Sequence, residues 1–332
     1  MNDPNGLVFD GRFYHLFYQS TPHAVTPDFL HMRWGHARSL DLLHWEHLPV
    51  ALCPDDRGGI FSGSAVMDGG EMVLMYTYHN RDHVESQAVA RSVDASFTKF
   101  EKYPGNPVIP NPGLKDFRDP KLFLRDEDGL WHVALAAGDR VLFYTSPDLM
   151  RWTEAGAFGA PDHRVDGIWE CPDLVRLPAP DGGHKWALIF SLNLPAQAGG
   201  GKTMYFLGQY QGGRFVPDDA LARPVDQGPD FYAGVTFSGA PEGRAVMIAW
   251  MTNWDYAERT PSDGWRGQMS CPRELFLVKA WDGLRLASRP LLPDRAIERS
   301  QGGGEDLLIV RDRYSVEVFL PDQGVSFTKL VF

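Results

Sequence analysis

Five polar side chains recur along this 332-residue chain at nearly constant spacing. They are Asp3 in Met1-Asn2-Asp3-Pro4-Asn5-Gly6, Ser62 in Phe61-Ser62-Gly63-Ser64, Asp119 in Phe117-Arg118-Asp119-Pro120, Glu170 in Trp169-Glu170-Cys171-Pro172, and Asp230 in Gly228-Pro229-Asp230-Phe231-Tyr232. The steps between them are 59, 57, 51 and 60 residues. If each interval is one structural repeat, all five groups point at one place. Three carboxylates in one pocket cannot all ionise freely, because burial and repulsion push their pKa values apart. Cleaving a glycosidic bond needs that separation, with one ionised carboxylate and one protonated carboxyl flanking the bond. Pro4 pushes Asp3 toward extended backbone and Asn5-Gly6 is a turn pair, so Asp3 is held at a strand end. Any one of these acids alone would read as an ordinary turn carboxylate; their common period carries the argument.

The elements that must present them show the same period. Ser39-Leu40-Asp41-Leu42-Leu43-His44-Trp45 returns in outline as Ser92-Val93-Asp94 with Phe100, and as Ser146-Pro147-Asp148-Leu149-Met150-Arg151-Trp152, the three Asp residues 53 and 54 positions apart. Weaker echoes follow at Gly212-Gly213-Arg214-Phe215 and Trp281-Asp282-Gly283-Leu284. A repeat of about 50 residues holding several short strands cannot bury both faces without its neighbours, which is the mark of a β-propeller. With 34 glycines and 25 prolines the chain turns often, as such a fold requires. The expected class is all-β: a five-bladed β-propeller over residues 1–292, a linker over 293–304 ending in Gly302-Gly303-Gly304, and a small vestigial β-module over 305–332. Those last 28 residues are too few for a core of their own, so they are expected to dock on the propeller or on a second copy of the chain, giving a homodimer.

Composition narrows the partners. A net charge of −11 with no stripe of Lys or Arg argues against nucleic acid and against an anionic membrane, and leaves a neutral small molecule. Cys53, Cys171 and Cys271 are odd in number and far apart, so no disulfide framework is expected and a reducing, cytoplasmic location fits. There is no run of 18 apolar residues and no basic-then-apolar leader before Asn2. The stretch Ala196-Gln197-Ala198-Gly199-Gly200-Gly201-Lys202-Thr203 fits a relaxed phosphate-loop pattern, but Met204-Tyr205-Phe206-Leu207 after it reads as strand, whereas the mechanism needs a helix N-terminus. His79 and His83 have a helical metal spacing, but Asn80-Arg81-Asp82 between them reads as loop. No Gly-X-Ser-X-Gly elbow is present. Neither a metal nor a cofactor is expected.

Taken in order, MNDPNG, FSGS, FRDP and WECPD resemble glycoside hydrolase family 32, the invertase, inulinase and levanase group. Tyr14 to Gln19, Trp34-Gly35-His36-Ala37, Gly228 to Ala233 and Pro272-Arg273-Glu274-Leu275 add to the likeness, which runs over about residues 1–292. The resemblance implies a propeller that cleaves β-fructofuranosides with retention. Asp3 would be the nucleophile at the anomeric carbon of fructose and Glu170 the acid and later the base. Asp119, beside Arg118, would hold fructose hydroxyls and stabilise the transition state. Asn2, Gln19, Trp34, Phe61, Ser62, Arg118, Cys171, Asp230 and Tyr232 are the expected substrate-binding set, with Trp169 as an apolar wall keeping Glu170 protonated. Family members usually carry residues ahead of NDPNG, including a Trp, and a full C-terminal β-sandwich, of which Asp312 to Phe319 resembles only late strands. Hydrolysis of sucrose or short fructans leads; a fructosyltransferase sharing the same covalent intermediate is the alternative, and a non-catalytic sugar-binding propeller is opposed by the intact Asp3, Asp119 and Glu170.

Overall fold

The computed structural model describes residues 1–21, 28–195, 200–262, 264–302 and 305–332. Six antiparallel sheets follow one another along the chain. The first holds β1 (Pro4–Phe9), β2 (Tyr14–Ser20), β3 (Arg33–Ser39) and β4 (Trp45–Leu52). The second holds β5 (Gly59–Asp68), β6 (Glu71–His79), β7 (Glu85–Ser92) and β8 (Phe100–Lys102), and the third β9 (Phe117–Arg125), β10 (Trp131–Ala137), β11 (Arg140–Ser146) and β12 (Thr153–Gly159). In the fourth, β13 (Ile168–Pro178), β14 (His184–Asn193), β15 (Lys202–Gln211) and β16 (Arg214–Pro217) are joined by the short β17 (Arg223–Pro224) beside β15. The fifth is β18 (Tyr232–Thr236), β19 (Ala245–Trp250), β20 (Arg273–Ala280) and β21 (Gly283–Pro290).

The first strand of each of these five sheets packs on the first strand of the next, and β18 returns to β1. Phe9 donates its N–H to Ser238 O at 2.9 Å and Ser238 donates to Leu7 O at 2.8 Å, which closes the ring. This is a five-bladed propeller. Its core is divided into five clusters, one at each junction between blades; Phe17, Trp34 and Tyr76, for instance, fill the first junction, and Trp169, Phe190 and Phe206 the third. Because both faces of a blade meet a neighbour, an inner strand such as β6 is buried at every position after Glu71 and shows no alternation.

The recurring Asp marks the turn between the third and fourth strands of a blade. Asp41 Oδ1 accepts the N–H groups of Leu43 and His44 at 3.0 and 2.8 Å, and Asp148 Oδ1 accepts those of Met150 and Arg151 at 3.0 and 2.9 Å. Leu42 and Leu149 take left-handed backbone there, and the indole N–H of Trp45 and Trp152 donates to their carbonyls. The repeat is therefore a turn device, and its weaker echoes form the third-to-fourth hairpins of blades four and five.

The sixth sheet corrects the expected linker. It consists of β22 (Glu298–Gly302), β23 (Glu305–Asp312), β24 (Ser315–Leu320) and β25 (Val325–Leu330), so residues 298–302 are strand rather than connection. β22 lies at the sheet edge, where charge is favoured because it discourages further pairing, and so its composition imitates a linker. The sheet docks on the propeller. Arg273, with its side chain wholly buried, pairs with Asp226 at 2.7 Å and with Glu317 of β24 at 2.6 Å, between the rings of Phe231 and Phe319. Thr328 and Leu330 of β25 donate their N–H groups to Asp226 and Asp230 at 2.9 and 2.8 Å. Among the described residues no helix is long and apolar enough to cross a membrane.

Candidate active site

Every innermost strand carries a bulge near its start. The pairing register slips between Asn5 and Val8 in β1, Phe61 and Gly63 in β5, Arg118 and Lys121 in β9, Glu170 and Asp173 in β13, and Tyr232 and Val235 in β18. Four of these bulges place a residue in left-handed backbone: Gly6 at φ +53°, Asp119 at +63°, Cys171 at +46° and Ala233 at +53°. A bulge bends the strand and re-aims the neighbouring side chain. Here it turns Asp3, Ser62, Asp119, Glu170 and Tyr232 toward one end of the channel.

There the groups meet. Ser62 Oγ donates to Asp3 Oδ2 at 3.0 Å, while Asp3 Oδ1 has no hydrogen-bond partner among the described residues. The Cys171 N–H donates to Asp119 Oδ2 at 2.9 Å, and its thiol lies 3.7 Å from that oxygen and 3.9 Å from Asp3 Oδ2. Arg118 Nη2 pairs with Glu170 Oε1 at 2.8 Å, and the Tyr232 hydroxyl donates to Glu170 Oε2. The Asn2 side-chain amide donates to Gln19 Oε1, and the Asn2 N–H to Gln19 O at 3.1 Å, which anchors the residue ahead of Asp3. Among the described residues, three carboxylates from blades one, three and four are thus brought together with the Arg118 guanidinium and the Tyr232 phenol.

A family model, the glycosyl hydrolases family 32 N-terminal domain, matches residues 1–290. The chain belongs to glycosyl hydrolase family 32. It is 45% identical to a levanase of Bacillus subtilis over 309 residues, 88% of this chain and 45% of that protein. It is 38% identical to an invertase of Schizosaccharomyces pombe over 300 residues, 83% of this chain and 51% of the invertase. The chain therefore spans about half the length of these relatives. Among solved structures, an exo-inulinase from Aspergillus awamori superposes with a TM-score of 0.87 at 28% identity, covering 100% of this chain and 90% of that one. A fructofuranosidase from Schwanniomyces occidentalis complexed with fructose gives 0.89 at 25%, covering 100% and 89%.

Burial dominates the electrostatics of this family 32 pocket. Desolvation, reinforced by the charge of Glu170, raises Asp3 to about 6, against the lowering effect of the Ser62 hydrogen bond and of the Asn2 side chain beside it. Desolvation raises Asp119 to about 7; Arg118 opposes the rise, and Glu170 and Asp3 add to it. Burial works against the charge on Arg118, but Glu170, Glu85 and Asp119 outweigh it and lift its pKa further. Burial, with the charges of Glu170 and Asp3 adding to it, pushes Cys171 and Tyr232 well up, so both keep their protons.

Three expected roles change. Trp34 is fully buried in the junction between blades one and two, and its indole N–H donates to Phe61 O at 2.9 Å; it supports the pocket wall instead of lining it. Trp169 stacks on Phe190 in the neighbouring core at 3.9 Å between centroids. Successive strand residues point to opposite faces, so it is not the wall beside Glu170. Asp230 is committed to the C-terminal sheet, accepting from Leu330 N–H and the Tyr256 hydroxyl.

Other contributors carried no motif. Phe29, 49% exposed, meets Phe61 at 5.8 Å between centroids, forming an aromatic rim with His79, which stacks on Phe61 at 4.3 Å. Thr77 Oγ1 accepts the Asp119 N–H at 3.0 Å. His79 Nε2 and His83 Nδ1 lie 3.0 Å apart, and among the described residues no group of three His, Cys, Asp or Glu side chains is placed to hold a metal ion. Of the glycine-rich stretch, residues 196–199 lie outside the described residues, and Lys202 opens a strand.

Proposed function

We propose that this chain is the catalytic propeller of a retaining β-fructofuranosidase, releasing fructose from sucrose or short fructans. The observation that carries the reading is the asymmetry of the carboxylates. Asp3 keeps one oxygen without a partner, whereas Glu170 is held at both oxygens by Arg118 and Tyr232. In the first step Asp3 Oδ1 forms a bond to the anomeric carbon of fructose as the bond to the leaving oxygen breaks, and that oxygen takes a proton from Glu170 in its protonated form, in which one of its two oxygens gives up its donor to carry the proton. In the second, Glu170 accepts a proton from water as the water oxygen attacks the same carbon and Asp3 is freed. Asp119, whose carboxylate accepts the Cys171 N–H and whose own N–H donates to Thr77 Oγ1, holds ring hydroxyls as positive charge develops. The levanase, invertase and exo-inulinase relatives, and the fructose in the Schwanniomyces complex, support a neutral fructosyl substrate.

The test is free glucose and free fructose released over time from sucrose, inulin and levan, at low and high substrate concentration. Fructose equal to glucose from sucrose at both concentrations supports hydrolysis. Glucose running ahead of fructose at high sucrose makes the chain a fructosyltransferase. No release from any of the three overturns the proposal.

A further inference from the structure

Glu85, the first residue of β7, takes no part in either step above, yet its carboxylate is buried against the site. Both of its oxygens lie 3.2 Å from Arg118 Nη1, a nitrogen that also meets Asp116 at 2.9 Å. The other end of the same guanidinium, Nη2, is the one on Glu170 at 2.8 Å. A guanidinium is planar and rigid, so fixing one nitrogen sets the direction of the other. On its far side Glu85 Oε1 is 3.4 Å from His79 Nδ1, and that imidazole lies 7° from parallel with the Phe61 ring it stacks on. His83 closes the series through His79 Nε2. One buried carboxylate therefore joins the group that holds Glu170 to the aromatic rim that Phe61 and His79 form on the adjoining blade two.

We propose that Glu85 is a positioning residue: it clamps Arg118 Nη1 so that Nη2 meets Glu170, and through His79 it holds Phe61 flat. The chemistry it serves rests on the fructosidase reading, while the geometry does not. A buried anion that merely neutralised Arg118 would stabilise the fold without setting the direction of Nη2. A clamp does both, and the shape of its side chain matters as well as its charge. Glu85→Gln keeps the shape and loses the charge, whereas Glu85→Asp keeps the charge and shortens the reach.

The experiment measures kcat, KM, their pH profiles and the Tm of the full chain and of both variants on the best β-fructofuranoside. Displacing a held group by about 1 Å costs on the order of 100-fold, so Glu85→Gln is expected to lower kcat/KM about 10- to 100-fold and to move a limb of the pH profile. Glu85→Asp is expected to recover part of the rate. Variants that fold, keep kcat/KM within about twofold and leave both limbs in place overturn the proposal. A lower Tm with unmoved limbs and unchanged kcat also overturns it, because that is the signature of a structural anion. If the wild-type chain cleaves no β-fructofuranoside, the functional reading fails by itself, and crystal structures of the wild type and Glu85→Asp decide the clamp. Arg118 Nη2 drawn beyond about 4 Å from Glu170, the limit of an ion pair, supports it; an unmoved Arg118 overturns it.

Discussion

The backbone N–H of Cys171 donates to Asp119 Oδ2 at 2.9 Å, so the residue that follows the acid on blade four fixes the carboxylate of blade three. Both residues sit in left-handed backbone, Asp119 at φ +63° and Cys171 at +46°, a conformation that non-glycine residues rarely adopt. The pocket is thus assembled from strained bulges locked together across blades, which is how functional sites commonly hold such geometry.

Removing any of the three carboxylates tests that assembly directly. Asp3→Asn and Glu170→Gln are each expected to lower kcat by at least about 10²- to 10⁴-fold, the contribution of one positioned proton-transfer or nucleophilic group. Asp119→Asn, which keeps the shape but loses the charge facing the developing cation, is expected to lower kcat about 10²- to 10³-fold. Steady-state kinetics on purified, folded variants are the check; near-wild-type turnover in any of them removes that residue from the mechanism.

The same carboxylates are a burden on stability near neutral pH. Asp119 titrates near 7 in the folded chain against 3.8 for an unperturbed Asp, and Asp3 near 6. The folded state therefore keeps protons that the unfolded state has released, and stability falls as pH rises from about 4 toward 7. Asp119→Asn removes the Asp119 share of this effect. Urea denaturation should show the variant more stable than wild type at about pH 7, by on the order of 2 to 4 kcal/mol, with little difference at about pH 4. A variant no more stable at neutral pH would mean that Asp119 is not held against its charge.

Arg273 makes a second, opposite prediction about buried charge. Its guanidinium is 0% exposed and its two terminal nitrogens pair with Asp226, Glu317 and Thr328 at the junction of propeller and C-terminal sheet, while Nε has no partner among the described residues. Truncation strands two buried anions, so Arg273→Ala is expected to cost about 3 to 5 kcal/mol and to release β24 and β25 from the propeller. Calorimetry and amide exchange over residues 315–330 would read this. Unchanged protection there would show that the sheet is held by its apolar contacts alone.

Trp34 and Phe61 separate support from contact. Trp34→Phe should lower stability by about 1 kcal/mol through its lost hydrogen bond to Phe61 O while leaving KM nearly unchanged. Phe61→Ala and Phe29→Ala should raise KM several-fold with a small change in Tm, because both rings are partly open to solvent at the rim. Measuring Tm and KM together on the three variants separates the roles, and a KM effect confined to Trp34→Phe would reverse them.

The propeller and its carboxylates were legible because five repeats impose one period on both turns and polar groups. What the sequence concealed was direction. Each bulge shifts the alternation of its strand, so the motif Trp169-Glu170-Cys171 cannot say which side chain enters the pocket and which enters the core. Asp230 keeps the blade period yet serves the C-terminal sheet, because the fifth blade borders that sheet and its acid found a backbone donor there, the Leu330 N–H. Thr77 and Glu85 lie on the second and third strands of blade two, outside every motif, and become visible only when β6 and β7 are seen beside Arg118 and Asp119. Phe29 lies in a loop, where no period operates. β22 hid its strand behind the charges that protect an edge.

Gly6 tests whether the bulges themselves carry the site. It sits at φ +53°, and a Cβ there would lie 2.6 Å from the Phe17 ring and 3.1 Å from Trp34. Phe17 in turn stacks on His36 at 4.0 Å, so the ring has a neighbour behind it. Gly6→Ala therefore meets both a backbone penalty of about 1 kcal/mol and a clash in the first junction. Overpacking of this kind adds about 1 to 3 kcal/mol. The variant is expected to lose stability and, by shifting the turn that follows Asp3, to lose activity beyond the fraction unfolded. Kinetics at a temperature well below its Tm separate the two losses. Full specific activity in the folded variant would mean that Ser62 and the Asn2–Gln19 pair hold Asp3 without help from the bulge.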